Sequence, residues 1–229
     1  MADDMDETRR IFLLRALAAG LFAASPLARA DLFGNVPSEL PAGKSIYSLN
    51  GELRINGKLA TIDTVIGSND TLVTGSGSQA IFVVGKDAFI LRENSELQLS
   101  GDNLLVDGLR LVTGALLSVF GKSRHHLKTP TATVGIRGTG LYVESQPDLT
   151  YVCTCYGTTD IGAVIDPGKT ETIESKHHDA PRYVTKDGRI YPAPMLNHTD
   201  EELMLIEALV GRTTPFALFD DSYSGPKRY

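Results

Sequence analysis

No tryptophan, two cysteines and no surplus of positive charge mark this chain of 229 residues. The missing tryptophan, beside 22 glycines, suits a turn-rich β protein better than a helical bundle. Lysine and arginine number 22 against 28 aspartate and glutamate, so the net charge is −6. No general affinity for nucleic acid or an anionic membrane is implied. A nucleic-acid reader would show a basic face, and the sequence has none. Catalytic signatures are missing too: there is no nucleophile elbow, P-loop, dinucleotide fingerprint or HExxH. No helix-period pattern of useful length occurs before residue 198.

What is present begins with an address. Thr8-Arg9-Arg10-Ile11-Phe12-Leu13 resembles a twin-arginine export signal. The apolar run behind it, Ala16 to Ala24, is short and alanine-rich for a transmembrane helix. Ala28-Arg29-Ala30 then reads as a small-x-small cleavage site before Asp31. Residues 1–30 are therefore expected to be a signal peptide, with retention as an uncleaved anchor the alternative. The mature protein is expected in the periplasm, without an integral membrane span.

From Lys44 the sequence is a succession of short apolar segments separated by turn residues. Strands are expected at Ile46 to Leu49, Glu52 to Ile55, Leu59 to Ile66, Thr71 to Thr74, Ala80 to Val84, Ala88 to Arg92 and Ser95 to Leu99. Leu104 to Val106, Leu109 to Val112 and Ala115 to Val119 follow. Asn50-Gly51 between the first two reads as a hairpin turn, and Asn56-Gly57 as another turn. Such spacing predicts an all-β fold, a β-solenoid, roll or sandwich of short strands.

The centre of the chain is Thr129 to Gly157. One strand there breaks at Arg137-Gly138-Thr139-Gly140, turns at Glu144 to Leu149, and returns over Thr150 to Tyr156. Two glycines around one threonine point to a bulge or a tight corner. Further strands are expected at Ile161 to Val164 and Thr170 to Ser175, around Asp166-Pro167-Gly168. A hairpin at Lys186-Asp187-Gly188 comes next. Thr199 with Glu202 forms a capping box for one helix, whose apolar stripe is Leu203, Ile206, Leu209 and Val210 and which stops at Gly211. The organisation read from this is a β domain over 44–165, an appendage of loop, hairpin and helix over 166–211, and a loosely ordered tail over 212–229.

The text from about Lys44 to Ile165 resembles the FecR domain, known from regulators of iron uptake in bacterial envelopes. The matching pieces are Asp70-Thr71-Leu72-Val73-Thr74-Gly75, Ser78-Gln79-Ala80-Ile81-Phe82 and Leu91-Arg92-Glu93-Asn94-Ser95-Glu96-Leu97. Gly108-Leu109 with Gly114-Ala115-Leu116, Thr129-Pro130-Thr131-Ala132 and Val134-Gly135-Ile136-Arg137-Gly138-Thr139 complete them in order. The resemblance implies an envelope module that binds a protein partner. Founding members carry a cytoplasmic segment that binds a sigma factor; only about ten residues precede the signal here, so a stand-alone domain without that role is expected. A second departure is Cys153-Thr154-Cys155 with His177-His178-Asp179, which the common FecR pattern lacks.

Those residues are where chemistry can reside. Residues i and i+2 of a strand lie ~6.5–7 Å apart on one face, whereas a disulfide needs Cβ atoms near 3.8 Å. A bridge between Cys153 and Cys155 would buckle the strand. A shared metal ion asks less, because two Zn–S bonds of ~2.3 Å put the sulfurs roughly 3.7 Å apart. Cys153, Cys155, His177 and His178 are thus the candidate ligands, for zinc, iron or copper. Buried inert thiols and a strained or redox-active disulfide remain open beside that reading. His125-His126 forms a second adjacent pair. Arg137 is expected to tie turns together through backbone carbonyls. The expected function is binding or assembly with another envelope protein rather than catalysis; a redox protein using Cys153 and Cys155 is the alternative.

Overall fold

A computed structural model describes residues 38–102 and 105–218. The signal-peptide reading over 1–30 and most of the tail lie outside those residues. Fourteen strands among the described residues join in one mixed sheet that does not close into a barrel, so the fold is all-β as expected. Its neighbours are antiparallel except where β8 (Leu105–Val119) runs parallel to β9 (Arg124–Lys128).

The early strands are short. β1 (Ile46–Asn50) pairs with β5 (Gln79–Val84), which in turn pairs with β6 (Asp87–Leu91). β2 (Leu53–Ile55) pairs with β3 (Lys58–Leu59) and β4 (Thr71–Thr74), and β4 pairs with β7 (Glu96–Asp102). Asn50-Gly51 is therefore a corner and not a hairpin, since β1 and β2 belong to different pairings. Asn56-Gly57 does form a two-residue hairpin between β2 and β3, with φ of 50° and 78°. Two positive φ values in a row match a turn whose twist suits the flanking strands. Most of the strand expected over Leu59 to Ile66 is absent: β3 ends at Leu59, and the chain then turns.

The later strands are longer than expected. The sequence breaks at Gly108 and Gly114 are not turns; β8 runs through both as one strand of 15 residues. β10 (Ala132–Ser145) and β11 (Leu149–Ala163) pair along their whole length. The register slips between Arg137 and Gly140, so the glycine pair is a bulge inside β10. It changes the parity of the inward face. Val134 and Ile136 join the main core before it, and Leu141 and Val143 after it, five residues on from Ile136 rather than an even number. β12 (Asp166–Ser175) includes Asp166-Pro167-Gly168 as strand, and the turn sits at Val164-Ile165 instead. Proline is tolerated there because β12 pairs only with β11 and lies at an edge. β13 (Arg182–Thr185) pairs with β11, and β14 (Ile190–Pro192) pairs with β13 across the expected hairpin.

Two apolar clusters lie on opposite faces. The larger one holds Leu72, Phe82, Phe89, Leu97, Leu116, Leu141 and Val152. The smaller one holds Ile90, Leu117, Tyr142, Tyr151, Cys153, Cys155 and, from α1 (Asp200–Leu209), Leu203, Leu205, Ile206 and Leu209. Alternation along β11 sends Val152 to the larger cluster and Tyr151, Cys153 and Cys155 to the face covered by α1. The helix begins as expected: Thr199 Oγ1 accepts from the Glu202 backbone, and the Glu202 carboxylate accepts from the Thr199 N–H. Among the described residues no helix is long and apolar enough to cross a membrane.

Candidate metal centre

β11 delivers both thiols to the space beneath the N-terminus of α1. Neither Cys153 nor Cys155 has any exposed surface. Over them lies the loop between β12 and β13, shaped by Asp179. Its carboxylate accepts the backbone N–H groups of Lys176 at 2.7 Å and His177 at 3.3 Å. That turn places His178 in the left-handed region, at φ 54°, and its N–H donates to the Cys155 carbonyl at 2.8 Å. The loop is thereby fixed to the strand that carries the thiols.

A third segment arrives from the chain entering α1. The Tyr151 hydroxyl donates to the Pro194 carbonyl at 3.0 Å and accepts from the Leu196 N–H at 3.1 Å. Asn197 is left-handed, with φ 54°, and His198 then turns inward with 1% of its surface exposed. Its ring stacks on Tyr142, centroids 4.5 Å apart.

Cys153, Cys155, His178 and His198 offer ligand atoms that all lie within 4.8 Å of one another. Cys153 Sγ is 3.5 Å from His178 Nδ1, and His178 Nδ1 is 3.1 Å from His198 Nε2. Three of the four sequence candidates are brought together in this group. His177 falls instead in a second group, with His178 and Asp200, whose ligand atoms also lie within 4.8 Å of one another. A neighbouring residue points elsewhere, and its Nε2 meets Asp200 Oδ2 at 2.9 Å while its ring lies against Phe216, centroids 4.5 Å apart. His198 takes the place expected for it. Without a helix-entry geometry in view, the sequence showed only a lone histidine ahead of a capping threonine.

The electrostatics follow from burial and neighbours. Burial pushes the Cys153 thiol up, but hydrogen bonds with Cys155, His178 and His198 outweigh it and hold the thiol below its ordinary range. Cys155 is pushed up by burial and by the adjacent Cys153 sulfur. Burial lowers the His178 value, yet its hydrogen bonds to Asp200 and Cys153 raise it to about 9. Asp200, whose burial works the other way, is held low by His178 and His177.

The remaining candidates lie apart from this cluster. His125 is buried, with Nδ1 2.6 Å from the Val106 carbonyl and Nε2 2.9 Å from Ser123 Oγ, and His126 beside it is exposed on β9. Arg137 does not tie turns through carbonyls. It pairs across to Asp160 on β11, which also accepts from Thr172 at 2.7 Å.

No protein-family model matches the chain, and no curated protein matches it. Among solved structures, two crystal structures of a "putative anti-sigma factor" from Parabacteroides distasonis are similar to it, each 12% identical, with TM-scores of 0.44 and 0.45. The likeness covers 54% of this chain and 58% of that one, little more than half of either. A likeness this distant says nothing about what the chain binds.

Proposed function

We propose that this chain is an exported, FecR-like envelope module that holds one transition-metal ion and acts by binding a protein partner, not by catalysis. The observation that carries the metal is the convergence of two thiols and two imidazoles within 4.8 Å of one another, all buried. Soft thiolate and imidazole donors select zinc, copper or iron over magnesium or calcium. The sealed position argues against turnover, because a catalytic metal keeps a position open for water or substrate. The open cleft of about 590 Å³ on the neighbouring surface is lined by Ser78, Ser145, Glu93 and Glu144, but both serine hydroxyls donate to backbone carbonyls and not to a carboxylate. Its charged side chains are engaged: Arg92 pairs with Glu202 at 2.7 Å, and Glu144 accepts from Tyr142 and Asn197. The partner-binding role rests on the sequence resemblance to FecR domains.

The competing reading is a redox protein using Cys153 and Cys155. It has the right residue types, but exchange needs a second thiol to reach sulfurs that have no exposed surface. Elemental analysis and thiol titration of native, exported protein separate the readings. One metal ion per chain with thiols reactive only after chelation supports the proposal. A readily cycled disulfide and no metal would overturn it.

A further inference from the structure

The two buried histidines meet through particular nitrogens, and their other nitrogens are already engaged. His178 Nε2 lies 3.0 Å from Asp200 Oδ1, and His198 Nδ1 lies 2.5 Å from the Leu196 carbonyl. Both partners are acceptors, so each of these nitrogens carries its hydrogen. In the neutral rings, the lone pairs then sit on His178 Nδ1 and His198 Nε2, the atoms that face each other at 3.1 Å. Two lone pairs do not face each other across that distance unless something electron-poor lies between them. A metal ion or a shared proton is the choice.

We propose that Cys153 Sγ, Cys155 Sγ, His178 Nδ1 and His198 Nε2 form a closed tetrahedral zinc site, with Asp200 positioning His178. This rests on the reading above that a transition-metal ion is bound, and it names the ion, the four atoms and the outer partner. Zn–N bonds of ~2.0–2.1 Å and Zn–S bonds of ~2.3 Å give a tetrahedron whose N–N edge is about 3.3 Å and N–S edge about 3.6 Å. The corresponding separations here are 3.1 Å between His178 and His198 and 3.5 Å between Cys153 and His178.

Charge and coordination set copper aside. Two thiolates neutralise a divalent ion, whereas copper(I) would leave one negative charge uncompensated in a site without solvent. Copper(II) favours a tetragonal arrangement, whereas the two separations above are close to the edges of a tetrahedron. Zinc has no such preference and fills closed four-donor sites.

Asp200 supplies the outer shell. A metal-bound imidazole usually donates its other N–H to a carboxylate or carbonyl, which fixes the tautomer and the ring plane. Asp200 does this for His178 and the Leu196 carbonyl does it for His198. His177 is the second donor to Asp200 and no ligand. Backbone strain points the same way. Among the described residues, four non-glycine residues have positive φ: two are asparagines in turns, one is His178 and one immediately precedes His198. Such conformations persist where the surroundings demand them.

The test uses the full chain, stripped of metal and titrated with Zn²⁺ alone and with Co²⁺ as a spectroscopic stand-in. One Co²⁺ per chain, with the intense visible bands of a tetrahedral ion and thiolate-to-metal absorption, is expected. His198→Ala should weaken Zn²⁺ binding at least a hundredfold, while His177→Ala stays within a few-fold of wild type. Asp200→Asn should keep the spectrum and lose 10–100-fold in affinity. His198→Cys guards against a simple folding defect: it should restore binding and add a third thiolate's absorption. Weak octahedral bands, or loss of binding on His177→Ala with none on His198→Ala, would overturn the site while leaving a bound metal in place. Folded wild-type protein that takes up neither ion would overturn both, and a shared proton would then bridge the histidines.

Discussion

Replacing Gly157 by alanine tests how the thiol-bearing strand is held. Gly157 follows Cys155 by two residues and has φ of 90°. A Cβ there would stand 2.4 Å from Thr139 Cγ2 and 2.8 Å from the Gly138 carbonyl oxygen. Alanine at positive φ costs about 1–2 kcal/mol, and overpacking against backbone adds about 1–3 kcal/mol. The stiffer unfolded chain returns about 0.4–1 kcal/mol. The net is a loss near 3 kcal/mol, which at ~2–4 °C per kcal/mol lowers Tm by roughly 6–12 °C. Two companions isolate the contributions. Gly57 has φ of 78° and open space around it, so Gly57→Ala meets only the backbone penalty and should fall by a few degrees. Gly168 has neither positive φ nor a neighbour within 4 Å, so Gly168→Ala should hold or rise slightly. Thermal melts of the three variants beside wild type decide it. Gly157→Ala melting with wild type, or Gly57→Ala melting as low as Gly157→Ala, would refute the reasoning.

Three further outcomes are expected. Thr199→Ala removes the acceptor for the Glu202 N–H and should destabilise the protein by about 0.5–2 kcal/mol, read by urea unfolding; an unchanged midpoint would mean the cap is idle. Hydrogen bonds from Arg182 hold the Glu171 carboxyl below its ordinary range, so that pair's stabilisation is present above the unfolded-state value and lost as pH falls through the folded one. Glu171→Gln should therefore flatten the acid limb of a Tm-against-pH curve below about pH 4.3 by under ~1 kcal/mol, the pair being partly solvated, and a steeper limb would contradict it. Lysines in place of Arg9 and Arg10 should leave uncleaved precursor in the cytoplasm, seen by fractionation and blotting; continued export would refer the protein to another route.

The fold was legible where local chemistry and tertiary pairing agree. Asn56-Gly57 forms its turn, Thr199 and Glu202 form their box, and Gly211 ends the helix region with φ of 68°. It was misread where a glycine serves something other than a turn. Gly108 and Gly114 sit inside β8 because side chains of facing strands come close: a Cβ on Gly108 would stand 2.5 Å from Ser100 Oγ, and one on Gly114 2.0 Å from Ser95 Oγ. A sequence pattern records that glycine is needed, but not whether the reason is a reversal of direction or a close neighbour. At Gly138 and Gly140, where a bulge or a tight corner was expected, the chain bulges without turning. Asn50-Gly51 failed for a different reason, since its left-handed glycine, at φ 76°, turns the chain from one strand pairing to another.

The candidate site divides along the same line. Cys153 and Cys155 follow from period two alone, and strand alternation puts them on one face whatever lies opposite. Which histidine completes the set depends on the loops. Adjacent residues cannot both aim at one point unless the backbone between them bends, and here it bends to place His178 inward and leave His177 beside Asp200. A ligand set drawn from one loop then comes up short by one donor. His198 offers one from the entry to α1, where Asp200 at the first helical position brings a carboxylate next to the His178 imidazole. The N-terminus of a helix favours that negative charge. Cap, proposed outer partner and proposed ligand thus fall within three consecutive residues, His198, Thr199 and Asp200, and a helix start that looked purely structural in the sequence is also one wall of the candidate site.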